Sequence, residues 1–190
     1  MMTELFSPLL RQKHHEAVMD LDPSLNVQGY CVGAGGRMVY LVERNAQLMV
    51  LKTAERGREQ RIIVEAEALE ITHDLRATPE IQEVYIQKGR PAALLKDYYP
   101  GKTLLERPVA LVDSAQEEIY HVVSRLHGRG FHRLDLYPKN LVADRLGEEA
   151  GIIDLDSPRK FPPEMSDLFY NIHCHRDLDT LARTLGDDLI

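Results

Sequence analysis

Three oxygen-bearing side chains in the second half of the sequence, Asp135, Asn140 and Asp154, have types and spacing that suit chemistry. Asn140 follows the pair Asp135-Leu136 across a short segment, and Asp154 ends an apolar run that begins at Gly151. A carboxylate accepts protons, and carboxylate and carboxamide oxygens are ligands that Mg²⁺ prefers. Aspartate and asparagine are also common turn residues, so each motif alone has an ordinary alternative. Their order and short separation favour one functional site over two unrelated turns.

The two segments resemble the protein-kinase superfamily. Asp135-Leu-Tyr-Pro-Lys-Asn140 matches its catalytic-loop pattern D-L-x-x-x-N, and Asp154-Leu-Asp156 resembles its D-F-G segment. In that superfamily the loop aspartate accepts the proton of the attacking hydroxyl, while the asparagine and the second aspartate hold metal ions against the phosphates. The resemblance therefore implies catalysis by Asp135, metal ligation by Asn140 and Asp154, and ATP and Mg²⁺ as cofactors.

Matching parts occur in the first half of the chain. The run Gly33, Ala34, Gly35 and Gly36 resembles a kinase glycine-rich loop, in which small residues let backbone N–H groups approach phosphates. A glycine-rich hairpin turn would look the same. Val50-Leu51-Lys52 resembles the kinase V-A-I-K strand, so the resemblance places Lys52 at the phosphates. The alternative is a lysine on an exposed strand face.

Lys52 needs a carboxylate partner, and a predicted helix over 58–74 offers Glu59, Glu65 and Glu67. At about 100° per residue, Glu65 lies near Leu69 and within about 60° of Ile62, whereas Glu67 falls on roughly the opposite side. If the Ile62 and Leu69 face packs on the sheet, Glu65 is the one that reaches inward. The alternative is that all three glutamates are solvated.

The segment that runs from Leu95 to the turn Pro100-Gly101 resembles the linker between kinase lobes. The resemblance places adenine there, with cofactor contacts near Asp97, Tyr98 and Tyr99. Those contacts would use backbone groups, so side-chain identity matters little.

The arrangement of elements predicts an α+β fold, a compact protein-kinase-like bilobal domain. It has a β-rich N-lobe over about 24–100 with one helix, a short helical C-lobe over about 101–190, and an N-terminal helix over about 7–19. Ser114-Ala-Gln-Glu117 reads as a capping box that starts the main C-lobe helix, which ends at Gly128. The other expected elements are strands at 26–31, 39–42, 48–52, 81–87, 92–98, 141–142 and 151–154, and a final helix over 166–185.

Within the superfamily the chain looks most similar to small bacterial lipopolysaccharide kinases, the Kdo and core-heptose group, through Leu126-His-Gly-Arg-Gly-Phe131 and Arg176-Asp-Leu-Asp-Thr-Leu-Ala-Arg183. RIO-type kinases are a weaker match. The resemblance implies a sugar or glycolipid acceptor at the inner face of the bacterial membrane. A compact Ser/Thr protein kinase and an inactive nucleotide-binding scaffold are the alternatives.

Several positions depart from the kinase pattern. Arg133 stands where the catalytic-loop histidine is usual, with His132 one place early, and Arg37 lies where a third loop glycine is expected. Lys96 falls near a position that is usually apolar. These departures leave the core transfer motifs intact, but they support the scaffold alternative and weaken the case for a protein substrate.

The composition of the chain narrows the class of protein. The 190 residues carry a net charge of −7 and two cysteines, which disfavours non-specific nucleic-acid binding and a disulfide framework. No signal peptide or membrane span is visible, so we expect a cytoplasmic protein with at most peripheral membrane contact, and no partner protein is identifiable. Arg159-Lys160 would suit an anionic acceptor or be an ordinary surface pair. His173-Cys174-His175 lacks the spacing of a metal site.

Overall fold

The computed structural model describes residues 8–32, 37–155, 159–160 and 167–186. The predicted phosphate loop (Gly33, Ala34, Gly35 and Gly36) and Asp156 lie outside these residues. Within them the elements in chain order are α1 (Pro8–Met19), β1 (Asn26–Val32), β2 (Met38–Arg44), β3 (Gln47–Thr53), α2 (Gln60–Ile71), β4 (Ile81–Gln87), β5 (Arg90–Asp97), β6 (Lys102–Thr103), α3 (Asp113–Gly128), β7 (Phe131–His132), β8 (Leu141–Ala143), β9 (Ala150–Ile152), β10 (Arg159–Lys160) and α4 (Asp167–Leu185).

The first part of the chain is an antiparallel five-stranded sheet in the order β1-β2-β3-β5-β4. Because side chains alternate along a strand, its two faces carry different sets of residues. Leu51 and Leu95 belong to a cluster on one face that also takes in Val18 of α1. Leu94 of β5 lies in the larger cluster with α2. Lys52 pairs in register with Leu94, so it is on the α2 side of the sheet.

Helix α3 supplies the core of the second part. Its buried stripe is the one that the sequence predicts: Ala115, Ile119, Val122, Val123 and Leu126. The predicted capping box is wrong, because the N-cap is Val112 and Ser114 lies inside the helix. The amide of Gln116 reaches back instead and donates to the carbonyl of Leu111 at 3.0 Å. The helix ends at Gly128, as expected.

The larger of the two hydrophobic clusters is shared by both parts of the chain. The larger cluster runs from Ile62 and Leu69 of α2, through the stripe of α3, to Leu181 of α4. At the boundary, Gly151 lies so close to the Tyr99 ring that a Cβ there would stand 2.6 Å from two ring carbons. Such a shared core gives the cleft between the two parts a defined geometry.

The strands that the sequence did not predict are all two residues long. They are β6, β7 and β10, and β7 pairs with β10, while β6 joins β8 and β9 in a three-stranded sheet. Two-residue strands leave no periodic signal, because alternation needs several residues. The α+β class and the β-rich first part are confirmed. None of the described helices has the length and apolarity that a membrane crossing requires.

Candidate active site

Lys52 lies at the centre of a buried ionic cluster. Its Nζ is 2.7 Å from Glu65 Oε2 and 2.6 Å from Asp154 Oδ1. The sheet supplies the lysine through β3, α2 supplies the glutamate, and the loop after β9 supplies the aspartate. The pairing expected between Lys52 and Glu65 is present, and Glu65 is buried together with Ile62 and Leu69 on the inner face of α2.

The other glutamates of that helix region point elsewhere. Glu67 is partly exposed and contacts Lys160 of β10, and Glu59 has its carboxylate free of the cluster around Lys52. The helical phase of the residues therefore selected the glutamate that the structure places inward.

A second lysine, Lys96, completes the cluster. Its Nζ lies 2.5 Å from Glu65 Oε1 and donates to the carbonyl of Ile153 at 2.7 Å. The side chain is 4 % exposed although it stands on β5 at a usually apolar position. Lys96 thus joins α2 to the backbone next to Asp154. Sequence reasoning noticed the unusual lysine but assigned it no partner.

The charges of the cluster stabilise one another. Burial alone would raise the pKa of Glu65, but the Lys96 and Lys52 charges outweigh it and hold that pKa below its ordinary value. Asp154 behaves in the same way: burial opposes ionisation, Lys52 and Lys96 favour it, and the net pKa is lowered. Burial also lowers the pKa of Lys52, which Glu65 and Asp154 only partly offset. The carboxylates are therefore ionised at neutral pH.

Asp135 and Asn140 form a second group in the loop between β7 and β8. Asn140 Nδ2 donates to Asp135 Oδ2 at 2.8 Å and to the carbonyl of Asp135 at 2.9 Å. Lys139 Nζ is 3.1 Å from the same Oδ2. Asp135 has a backbone φ of 53°, in the left-handed region that costs energy for a residue with a Cβ. Its carboxylate is therefore held in a set position by both its backbone and its neighbours.

The two groups are connected through backbone hydrogen bonds. The N–H of Ile153 donates to the carbonyl of Asn140 at 3.0 Å, and Leu141 pairs with Ile152 in the β8–β9 hairpin. The residue before Asp154 is thereby tied to Asn140. The hairpin delivers both predicted metal ligands to one end of the cleft.

Helix α4 holds the loop that carries Asp135. Asp177 accepts hydrogen bonds from the backbone N–H groups of Arg133 at 2.7 Å and Leu134 at 3.2 Å. Two helical turns later, the hydroxyl of Thr184 donates to the carbonyl of Leu136 at 3.0 Å. Sequence reasoning matched this helix to the kinase C-lobe but gave neither residue a role. The signal was an aspartate and a threonine seven residues apart, on one face of a helix.

His132 and Arg133 have different surroundings although they are neighbours. His132 is buried and its Nδ1–H donates to the carbonyl of Arg159 at 2.9 Å, across the β7–β10 pair. Burial lowers the pKa of His132, and the positive charge that His173 can carry lowers it further. Arg133 is exposed, with a left-handed φ of 59°. His132 is thus a buried residue that holds β10 against β7, just before the loop of Asp135, whereas Arg133 is exposed to solvent.

The predicted adenine segment begins where β5 ends. The backbone N–H of Asp97 donates to Glu80 O at 2.9 Å, and that of Tyr98 to Leu48 O at 3.4 Å. The Tyr99 hydroxyl donates to the carbonyl of Ala150 at 2.8 Å, and burial raises its pKa to about 12. Among the described residues, the N–H group of Tyr99 has no backbone acceptor, so it is the donor that an adenine ring could use.

The residues present fit a magnesium ion that is completed by phosphates. Asp154 offers a carboxylate, and Asn140 offers its carboxamide oxygen because its nitrogen is engaged by Asp135. Mg²⁺ is commonly held by one or two protein oxygens, with phosphate and water filling the remaining positions. Within the described part of the chain, no three or more His, Cys, Asp or Glu side chains gather as a metal site.

Comparison with solved structures supports the class of fold. The Rio2 kinase–ADP/Mg²⁺–phosphoaspartate complex from Chaetomium thermophilum aligns with 92% of this chain and 58% of its own, at 15% identity and a TM-score of 0.62. The Cydia pomonella granulovirus kinase PK-1 aligns with 78% of this chain and 60% of its own, at 15% identity and a TM-score of 0.59.

These similarities establish a protein-kinase-like fold. The chain spans less than two thirds of either of these two structures, and at 15% identity the likeness concerns fold alone. No protein-family model matches the chain, and no curated protein does. What this chain does must therefore be argued from its own residues.

Proposed function

We propose that the protein is an ATP- and Mg²⁺-dependent phosphotransferase that moves the γ-phosphate to a hydroxyl group. The observation that carries this proposal is Lys52, whose ammonium contacts both Glu65 and Asp154 in the cleft of a protein-kinase-like fold. A lysine held by two carboxylates is a positioned cation for phosphate oxygens. Asp135 and Asn140, tied to the same hairpin as Asp154, add a proton acceptor and a ligand.

Each residue has a defined part in the proposed reaction. Lys52 binds phosphate oxygens while Glu65 orients it, and Asp135 accepts the proton of the acceptor hydroxyl. The acceptor oxygen bonds to the γ-phosphorus as the bond to the β–γ bridging oxygen breaks, and ADP leaves. Mg²⁺ at Asn140 and Asp154 would neutralise phosphate charge. The protein's contribution is mainly positioning and electrostatics.

We further propose a sugar or glycolipid as the acceptor, and a cytoplasmic protein with at most peripheral membrane contact. The support is the resemblance of 126–131 and 176–183 to the lipopolysaccharide kinases. Fold likeness does not determine a substrate, so this part stands on those two segments.

A thermal-shift titration with ATP, with and without Mg²⁺, tests the nucleotide site. At 100 times Kd a ligand adds about 2.7 kcal/mol, which is a shift of about 5–10 °C for a chain of this size. We expect a Mg²⁺-dependent shift in the wild type, its loss in Asp154→Asn, and its retention in Asp113→Asn, an exposed carboxylate on α3. No shift with millimolar Mg²⁺–ATP would refute the proposal.

A nucleotide-binding scaffold is the second candidate. It is favoured by Arg133, which stands where the catalytic-loop histidine of kinases is usual. Measuring ADP release distinguishes the phosphotransferase from the scaffold. A phosphotransferase should release ADP when an acceptor is present, and Asp135→Ala should lower kcat by roughly 100-fold or more. Nucleotide binding without turnover on any acceptor would favour the scaffold.

A further inference from the structure

A cavity of about 750 Å³ opens beside Asp135, and its lining includes none of Lys52, Glu65 and Asp154. Its walls come from α2, the loop around Asp135, β10 and α4. Small-molecule sites commonly have volumes of about 300–1,000 Å³. A cavity of this size that includes the proposed proton acceptor in its wall is where an acceptor would bind.

The cavity is lined by arginines from all four segments. We call it the arginine pocket, and its cations are Arg61, Arg133, Arg159, Arg176 and Arg183. Four of the five are exposed, and Arg61 is partly exposed. Within the described residues, no ion pair neutralises any of these guanidinium groups.

Three aspartates also line the pocket, Asp135, Asp177 and Asp179; Asp179 is exposed, and the other two have other partners. Asp177 is bonded to the backbone of the Asp135 loop and to His127. Asp135 itself is engaged by Asn140 and Lys139. Because the whole chain has a net charge of −7, a cavity wall with five arginines against three aspartates is a local reversal of the overall charge. Such a concentration attracts an anion and raises its local concentration.

The positions of the arginines suit a ligand that spans the pocket. Arg176 and Arg183 are seven residues apart on α4, so they lie on the same face two turns apart. Arg133 is two residues from Asp135, and Arg159 comes from the strand paired to β7. The arginines therefore line the same cavity as Asp135, the proposed proton acceptor, and leave its carboxylate in the wall. A hydroxyl at Asp135 and an anionic group at the arginines are compatible in one molecule.

We propose that the arginine pocket binds a phosphate group that the acceptor already carries, so that the substrate is a phosphorylated small hydroxyl compound such as a sugar phosphate. This inference rests on the proposed phosphotransferase function and names its substrate class. Guanidinium groups form paired hydrogen bonds with phosphate oxygens, which explains why arginines and not lysines line the site. The product carries two phosphates: the acceptor hydroxyl loses its proton to Asp135 and gains the γ-phosphoryl group, and ADP is released.

Binding of inorganic phosphate tests the pocket without any assumption about the acceptor. Titration followed by amide NMR signals should perturb α4 and the loop of Asp135, and added NaCl should weaken the binding. The double variant Arg176→Gln and Arg183→Gln should bind inorganic phosphate roughly ten-fold or more weakly, while its binding of Mg²⁺–ADP is unchanged. Arg145→Gln, an exposed arginine outside the pocket, should match the wild type. Equal phosphate binding by the double variant, or none by the wild type, would overturn the proposal.

Turnover with matched acceptors tests the substrate class. We expect ADP release with members of a panel of sugar and polyol phosphates, none with the corresponding neutral compounds, and a raised KM in the double variant. Turnover with glucose but not glucose 6-phosphate, or with glucuronate in place of any phosphate ester, would overturn the proposal. Failure of the wild type to bind Mg²⁺–ADP would refute the phosphotransferase itself. That result is distinguishable because ADP and phosphate signals arise from different residues.

Discussion

Lys96 and Glu65 form a buried ion pair of 2.5 Å that links β5 to α2. Glu65 is fully buried and divides its two oxygens between Lys96 and Lys52. Lys96 also donates to the carbonyl of Ile153, next to Asp154. The ion pair therefore couples the position of α2 to that of the proposed metal ligand.

Replacing Lys96 should destabilise the fold and loosen the site. Lys96→Met leaves one oxygen of a buried carboxylate without its partner, and we expect a loss of about 2–4 kcal/mol in the free energy of unfolding, measured with urea. Lys102→Met, on an exposed strand position, should cost little. A double-mutant cycle with Glu65→Gln should show coupling above about 1 kcal/mol. Additive effects would contradict the pairing.

Asp177 should matter more for turnover than for nucleotide binding. Asp177→Ala leaves the backbone N–H groups of Arg133 and Leu134 without their acceptor, which costs about 2–4 kcal/mol. The loop that they belong to then shifts Asp135, and kcat should fall roughly 100-fold. The Kd for Mg²⁺–ADP should stay near the wild-type value, because Lys52 and Glu65 are held by ion pairs with each other, with Lys96 and with Asp154. Asp20→Ala, which removes an exposed carboxylate, is the control.

His132 should make stability depend on pH near neutrality. Burial lowers its pKa in the folded state, so below the ordinary value of 6.5 the unfolded chain binds more protons than the folded one. The free energy of unfolding should therefore fall as pH drops below about 6.5, by at most about 1.4 kcal/mol per pH unit for this one group. Urea titrations at several pH values should show a smaller slope in His132→Gln. The exposed His121→Gln should keep the wild-type slope, and an unchanged slope in His132→Gln would refute the assignment.

The close approach of Gly151 to Tyr99 predicts a steric penalty at the boundary of the two parts. In Gly151→Ala the new Cβ would stand 2.6 Å from the Tyr99 ring and 3.1 Å from Ala77 O. We expect a loss of about 1–3 kcal/mol, measured as a lowered thermal midpoint. Gly128→Ala is the matched control and should be neutral or stabilising, since beyond its own helical turn no atom of the described residues lies within 4 Å of the added Cβ. Equal midpoints for the two variants would contradict the packing.

The sequence by itself determined the order of the helices and of the strands longer than two residues, the α+β class and the inward phase of Glu65. These are local properties: alternation along a strand, the 100° step of a helix and a short motif such as Asp135 to Asn140 are all written within a few neighbouring residues. The capping box predicted at Ser114 is wrong because a cap depends on where the helix begins, and α3 begins at Asp113, one residue before Ser114.

Only the tertiary structure decided which distant residues meet. Lys96 pairs with Glu65 across 31 positions, and Asp177 reaches Arg133 across 44. The arginine pocket likewise brings together Arg61 and Arg183, which are far apart in the sequence. No periodic pattern encodes such contacts, because each one depends on how the sheet, the hairpin and α4 pack around a shared core. The sequence therefore supplied the proposed reactive groups, and packing supplied the residues that hold them and the arginine pocket beside Asp135.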